Sequence, residues 1–475
     1  MIAPMHRTLL TGIVTIAGAA VLVLEILGAR LLAPDFGGTI HLWSAQITVT
    51  LAALAVGYAI GGRRADAPAP RRDMAVALFA AAGWIALVPL LTRFSPSLAK
   101  SFGFRVGPFA ASALLFAIPG AFLGMMSPLA IRLAAHDRSV GRAVGDLFAA
   151  STAGSIGGAL ATTFGLLPYV PLSGVLWGTA AVLAACGAAT LGFRASALPL
   201  ALALGLPCLA RLALPPPADP TLLHIEQSLY NDIRVVENRS GVRSLLLNRW
   251  KQGEQDAKGR PRQRYLKFLA SARTVRPDAK RLLELGLGTG AVPKLVAAQE
   301  PRWERIAAVE IDAAVARVAR ESFGLPAGVE VVIDDGRRYL AATPDLWDAI
   351  VIDAYANGAV PPHLVTREFF RLLASRLAPG GVVLAQFHGN ADGPTSRLWR
   401  AVWRTAGQAF RYRWHEEHGG SVHRVFVMFS NEPLPSCPAV DESDVPLLTD
   451  DYAPTDDLAA PLLAETYTLW KKTRR

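Results

Sequence analysis

The hydrophobic pattern divides the chain near its middle. Residues 1–216 carry long apolar runs at 8–33, 42–62, 74–92, 107–132, 144–168 and 173–193, with a weaker seventh at 196–214. A bilayer core takes about 20 apolar residues per helix. Buried helices of a soluble bundle would keep polar faces that these runs lack. The pattern therefore predicts an α-helical multipass membrane domain over 1–216 with about seven spans. A cleaved leader would give one apolar run before a polar chain, whereas here the runs repeat.

Charge sharpens this picture. Residues 1–216 hold 14 Lys/Arg and 6 Asp/Glu, leaving 34 and 32 for the remainder of a chain whose net charge is +10. Much of the surplus is arginine between apolar runs, which membrane topology explains without a nucleic-acid partner. Arg63, Arg64, Arg71 and Arg72 mark a cytoplasmic connection; Arg132, Arg138 and Arg142 agree with it, as does Arg7, while Arg93, Lys100 and Arg105 fall on the opposite side. Seven crossings from a cytoplasmic start would leave the rest of the chain outside. The run at 196–214, broken by Pro199, Pro207 and Arg211, is the one that need not cross. Pairs at four-residue spacing, Gly57/Gly61, Gly120/Gly124 and Gly154/Gly158, predict close helix packing. Glu25 lies inside an apolar run, either as an acid facing the bundle interior or as an ion-pair partner such as that of Arg30.

Beyond the Pro-rich junction at 214–220 the period changes. Ile233–Glu237 and Val242–Leu247, separated by Asn238–Gly241, predict a β-hairpin in a small β subdomain over 217–275. Strand and helix signals then alternate: strands at 281–285, 306–309, 329–333, 349–352 and 382–386, helices near 291–299, 313–321 and 366–377. That alternation predicts a parallel, doubly wound α/β Rossmann-like domain over 276–475, with ligands at the carboxyl ends of its strands.

The loops at those ends carry the candidate chemistry. Gly286, Gly288 and Gly290 follow the first strand and open a helix, so backbone can approach a ligand closely. Glu310 and Asp312 end the second strand, where an acid can accept ribose hydroxyls. Asp335 and Gly336 end the third; Asp353 and Tyr355 end the fourth. An isolated Glu310 or Asp335 would read as a helix cap, but acids at successive strand ends read as one site. No lysine follows the glycines at phosphate-loop spacing, so an unphosphorylated nucleoside fits best. The cysteines, Cys186, Cys208 and Cys437, form no CxxC or Cys/His cluster, and neither a metal nor a disulfide framework is expected. The acidic segment 448–457 reads as a solvated loop or a lid over the site. Arg397–Arg413, interleaving Arg with Trp and Phe, reads as a helix with a buried aromatic face rather than an RNA surface.

These motifs together resemble the spermidine synthase (polyamine aminopropyltransferase) family, within the S-adenosylmethionine-type Rossmann enzymes. The resemblance is carried by Glu226–Ile233, Gln252, the glycine loop, Glu310–Asp312, Asp335–Gly336, Asp353, Pro361–Phe370 and Pro379–Gln386. The front half resembles membrane segments fused to such domains in some bacteria, notably at Leu24–Gly37 and Gly57–Arg63. The resemblance implies that Glu310 binds ribose, Asp335 adenine, Gln252 the nucleoside or its thioether side, and that Asp353 lies beside the attacking amine. The chain departs from the family where a glycine-loop Asp becomes Thr289, a second post-strand acid becomes Ala356 and a Tyr-His-Glu triplet becomes Tyr265-Leu266-Lys267. A polycationic amine needs such carboxylates, so the departures touch the acceptor more than the nucleoside.

The expected activity is transfer of an aminopropyl or 3-amino-3-carboxypropyl group to an amine. The co-substrate is S-adenosylmethionine or its decarboxylated form, no metal is needed, and methylthioadenosine is released. Asp353 is the candidate base, with Tyr355 and His388 in reserve. The acceptor is a small amine or a lipid-associated molecule, the partner surface a bilayer, with a homodimer possible and no nucleic acid. The location is a bacterial inner membrane with the catalytic domain cytoplasmic. A methyltransferase using the same co-substrate on a membrane-delivered molecule, or a nucleoside-sensing transporter without turnover, are the alternatives. The basic tail Leu469–Arg475 would suit anionic headgroups.

Overall fold

The computed structural model describes residues 6–36, 39–134, 140–213, 221–248, 250–355, 360–418, 423–462 and 465. It divides into two compact units, Met1–Ala218 and Asp219–Arg475. The junction at 214–220, Ala356 and the tail 469–475 lie outside the described residues.

In the first unit, six helices are long and apolar enough to cross a membrane: α1 (Arg7–Phe36), α2 (Ile40–Ala65), α3 (Pro70–Ala99), α4 (Arg105–Ala134), α5 (Val140–Leu166) and α6 (Leu172–Leu191). The run expected at 196–214 lies in a shorter apolar helix, α7 (Ala195–Ala210). Gly192, at φ 88°, ends α6 just before it, and Pro199 interrupts the donor ladder within it. The Thr39 hydroxyl caps α2 by accepting from the Leu42 N–H, and Arg63 and Arg64 occupy its last turn, where cations favour the helix dipole.

Small residues line the helix seams. α1 runs along α5, and α3 along α6. A Cβ on Gly154 would stand 2.0 Å from the Thr15 carbonyl oxygen, and one on Gly158 2.7 Å from Ala19 Cα. At the α2–α4 seam a Cβ on Gly57 would stand 2.2 Å from the Ala121 carbonyl oxygen. These backbones touch where only hydrogen fits between them. Arg7 and Asp146 pair across the α1–α5 seam. Glu25 is half-buried on α1.

The second unit opens with an antiparallel sheet of β1 (Leu222–Gln227), β2 (Asp232–Glu237), β3 (Arg243–Leu247) and β4 (Trp250–Gln255), in that spatial order. The hairpin expected from sequence is its inner pair, in register from Ile233↔Leu247 to Glu237↔Arg243. The outer strands escape the pattern because β1 mixes apolar residues with His, Glu and Gln, and β4 holds one large apolar residue, Trp250.

The larger sheet follows. Helix α8 (Tyr265–Leu269) leads into β5 (Arg281–Leu285), α9 (Ala291–Ala297), β6 (Arg305–Glu310), α10 (Ala313–Phe323), β7 (Glu330–Ile333), α11 (Gly336–Ala342), β8 (Trp347–Ile352), α12 (Arg367–Ser375), β9 (Leu377–His388), α13 (Arg397–Ala406), β10 (Tyr412–His418) and β11 (Arg424–Ser430). The spatial order is β7-β6-β5-β8-β9-β11-β10. Five strands are parallel, as the βα alternation predicts, but β11 pairs antiparallel with both β9 and β10. The sheet is therefore mixed, a correction to the parallel expectation, because only five residues separate β10 from β11, too few for a crossover. The order reverses at β5, which opens a crevice at the carboxyl ends of β5 and β8.

Burial explains the rest of the pattern. Leu282, Ala308, Val351, Leu384 and Met428 fill the core beside Leu269, Val292 and Val296. The β subdomain docks through Ile233, Val235 and Leu245 onto Val315, Val318 and Phe323 of α10. On α13, Trp399 and Trp403 face inward, while Arg400 and Arg404 donate to the carbonyls of Asp441 and Glu442. The arginine–tryptophan segment is thus a packed helix over Arg397–Ala406, while its remainder up to Arg413 turns into β10.

Candidate functional site

The site grows from the end of β5. After Leu285 the chain turns through Gly286, Gly288 and Gly290, all at positive φ (91°, 53° and 71°), and enters α9. The space around each differs. A Cβ on Gly286 would lie 2.6 Å from the Asp353 carbonyl oxygen, so this glycine lets β5 and the end of β8 meet. Nothing lies within 4 Å of a Cβ on Gly288, whose backbone faces open space. Thr289 is covered by β4, with a Cβ on Gly253 only 2.7 Å from its side chain.

Glu310, at the end of β6, sits beneath this loop. One carboxylate oxygen accepts the N–H of Leu287 at 3.1 Å and of Gly288 at 3.5 Å, and the other accepts the N–H of Asp312 at 3.0 Å. Burial nevertheless pushes its carboxyl above the ordinary value. Asp312 turns elsewhere. It caps α10 through the Ala314 N–H at 3.0 Å and takes Ser228 and Asn231 of the β subdomain at 2.5 and 3.0 Å. One oxygen caps the helix and the other ties in the segment between β1 and β2.

Asp335 caps α11 by accepting from the N–H groups of Arg337 and Arg338, and its other oxygen lies 2.9 Å from His363. Burial raises its carboxyl, but these N–H groups and His363 outweigh that and hold it low. Gly336 is the first residue of α11. Next to it, Asp450 of the acidic segment takes Arg337 at 2.6 Å and the Thr366 hydroxyl at 2.7 Å, and its carboxyl falls to about 2. That loop is a tie onto α11 and the start of α12.

A cavity of about 370 Å³ opens beside the glycine loop, lined among others by Gln252, Gly288, Thr289, Asp353, Tyr355 and Arg424. Of the expected residues, Gln252, Gly288, Asp353 and Tyr355 share this wall; Glu310 and Asp335 stand at neighbouring strand ends outside it. Burial raises Asp353 to about 6, while the Gln386 amide, 3.3 Å away, and the Arg424 charge pull it back. The Tyr355 hydroxyl donates to the Gln386 carbonyl, and burial holds its phenol well above the ordinary range. It is a donor at neutral pH. Burial, helped by Arg424, drops His388 to about 3, so its ring is neutral.

Sequence reasoning missed three residues of this wall. Glu284 reads as one polar interruption of an apolar strand, yet it is 1% exposed and one of its oxygens has no hydrogen-bond partner. Gln386 entered only as the end of a motif. Arg424 precedes the apolar run Val425–Phe429, and nothing in that spacing sets it apart from an ordinary strand start.

Comparison with known proteins places this geometry. Residues 271–392 match the spermine/spermidine synthase domain. A probable polyamine aminopropyl transferase of Bifidobacterium longum is 34% identical over 132 residues, covering 28% of this chain and 29% of that protein. A polyamine aminopropyltransferase of Mycobacterium tuberculosis is 30% identical over 334 residues, covering 62% of each; such a match is longer than the Asp219–Arg475 unit and so reaches into the helical half. The chain spans less than two thirds of the length of both relatives. A probable spermidine synthase from Corynebacterium glutamicum superposes with a TM-score of 0.40 at 23% identity, covering 46% of this chain and 82% of that one. The second unit thus carries, over residues 271–392, a segment similar to the spermine/spermidine synthase domain.

Proposed function

We propose that the protein is a membrane-embedded transferase of the aminopropyltransferase type, using S-adenosylmethionine or its decarboxylated form. The observation that carries this reading is the junction of three strand ends. An open glycine loop braced by Glu310 borders a cavity holding Asp353, inside the segment that matches the synthase domain. The adenosine lies along Gly286–Gly290 with its ribose toward Glu310, its adenine toward Asp335 and its sulfonium facing the cavity.

The chemistry then follows. The acceptor nitrogen forms a bond to the carbon beside sulfur while the carbon–sulfur bond breaks, its electron pair leaving with neutral methylthioadenosine. The sulfonium charge disappears during this step, so the site mainly aligns the reactants. The nitrogen's proton passes to Asp353.

Six crossings return the chain to the side on which it starts. With Arg63, Arg64, Arg71 and Arg72 cytoplasmic, this supports a second unit on the cytoplasmic face of a bacterial inner membrane. Incubating the detergent-solubilised full-length protein with each donor and an amine, then identifying the nucleoside released, tests the reaction. Methylthioadenosine is expected; S-adenosylhomocysteine would transfer the assignment to methylation, and binding without product to a sensor.

A further inference from the structure

The cavity contains a cation that a polyamine site has no use for. Arg424 begins β11 opposite His388 of β9 and lines the same wall as Asp353, Thr289 and Gln252. Its guanidinium stacks 4.8 Å from the Tyr265 ring centre. Its Nε is buried without a hydrogen-bond partner, and it forms no ion pair with the described residues. Two unpartnered oxygens belong to residues of the same cavity lining, one of Glu284 and the side-chain oxygen of Gln386. The Arg424 side chain is half-buried, and a buried guanidinium N–H left without an acceptor is costly unless something arrives to fill it. The five N–H groups of a guanidinium match the two oxygens of a carboxylate.

We propose that Arg424 seats a carboxylate carried by one of the two substrates, either the α-carboxylate of intact S-adenosylmethionine or an acid group on the amine acceptor. This deepens the transferase reading and rests on it. The charges around the cavity support the choice. Lys251 and Glu254 neutralise each other at 2.9 Å, His388 is neutral, and burial pushes the Glu284 carboxyl well above its ordinary value. One cation, Arg424, and one anion, Asp353, remain. A diamine would bring two positive ends to a single carboxylate and set one of them near a guanidinium. A ligand with an amine at one end and a carboxylate at the other answers both. Where the resembled family carries a glycine-loop acid for the donor's amino group, this chain has Thr289.

The test measures binding and turnover of the full-length protein and Arg424→Gln with paired probes. The donor arm compares S-adenosylmethionine with its decarboxylated form; the acceptor arm compares 1,4-diaminobutane with 4-aminobutanoate. We expect the native protein to prefer the carboxylate-bearing member of at least one pair by about 10- to 100-fold. Arg424→Gln should lose that preference, and Arg424→Lys should keep part of it, since charge survives without the fork. Methylthioadenosine, which has no carboxylate, should bind native protein and Arg424→Gln equally. No preference in the native protein, or one that Arg424→Gln leaves intact, overturns the proposal. Failure of methylthioadenosine to bind the native protein at all would instead remove the nucleoside reading beneath it. Should Arg424→Gln fail to fold, the comparison between native protein and Arg424→Lys decides alone.

Discussion

Gln386 reaches from β9 to Asp353 at the end of β8, its side-chain amide donating to the carboxylate at 3.3 Å. A hydrogen bond to the ionised form favours ionisation, whereas burial opposes it and brings the carboxyl to about 6. If Asp353 accepts the acceptor's proton, kcat/KM rises through pH 6 and levels above it. Gln386→Leu removes the favouring bond, so the midpoint moves upward. Asp353→Asn lowers kcat by roughly 10²- to 10⁴-fold. A midpoint identical in native protein and Gln386→Leu would remove Asp353 from the proton path.

The same carboxyl burdens the fold. Its folded value of about 6 exceeds the ordinary 3.8, so the folded state holds the proton more tightly and stability declines as pH rises from about 4 through 6. Asp353→Asn lacks this penalty. It should be more stable than native protein at pH 8 by up to about 3 kcal/mol, with the difference vanishing below pH 4. Denaturant titrations at the two pH values supply the comparison, and equal stabilities at pH 8 would contradict the expectation.

The glycine loop separates folding from binding. Gly286→Ala forces a side chain against the Asp353 carbonyl at φ 91° and should destabilise the second unit. Gly288→Ala meets only open space, so its left-handed backbone costs about 1–2 kcal/mol and the unit stays folded. Because that space is where the nucleoside would lie, methylthioadenosine affinity should drop at least tenfold. Unaltered affinity in Gly288→Ala would move the nucleoside elsewhere.

Asp312 is expected to act on architecture. Asp312→Ala removes the α10 cap and releases Ser228 and Asn231; losing a cap alone costs about 1 kcal/mol. Limited proteolysis should then cut within 221–255 sooner than in native protein, while Ser228→Ala gives a milder version. Resistance equal to native would mean the hairpin is held by its apolar face alone.

The helical half offers an internal control. Gly154→Leu drives a side chain into the Thr15 carbonyl, whereas Gly157→Leu meets nothing within 4 Å. Thermal aggregation in detergent should come earlier for the first and stay near native for the second. Equal behaviour would show that the α1–α5 seam is not a close contact.

Strong periodicity made the main elements legible. Six apolar runs, the inner hairpin and the five parallel strands follow from spacing alone, because each buries a continuous face. The edge strands β1, β4 and β10 were illegible, since an edge strand with one wet face carries too few apolar residues to stand out. In the site, Asp353 and the glycines could be read because they sit at strand ends. Arg424 and Glu284 could not, since their meaning comes from what lies across the sheet from them, a relationship that local spacing does not encode.

The α1–α5 seam joins segments more than a hundred residues apart. During synthesis the first helix must therefore wait, with its glycine-lined groove unfilled, until the fifth has emerged. Earlier helices can only gather loosely around it. The helical half is thus closed late by its own chain order, and a premature stop anywhere before α5 would leave a bundle without its keystone.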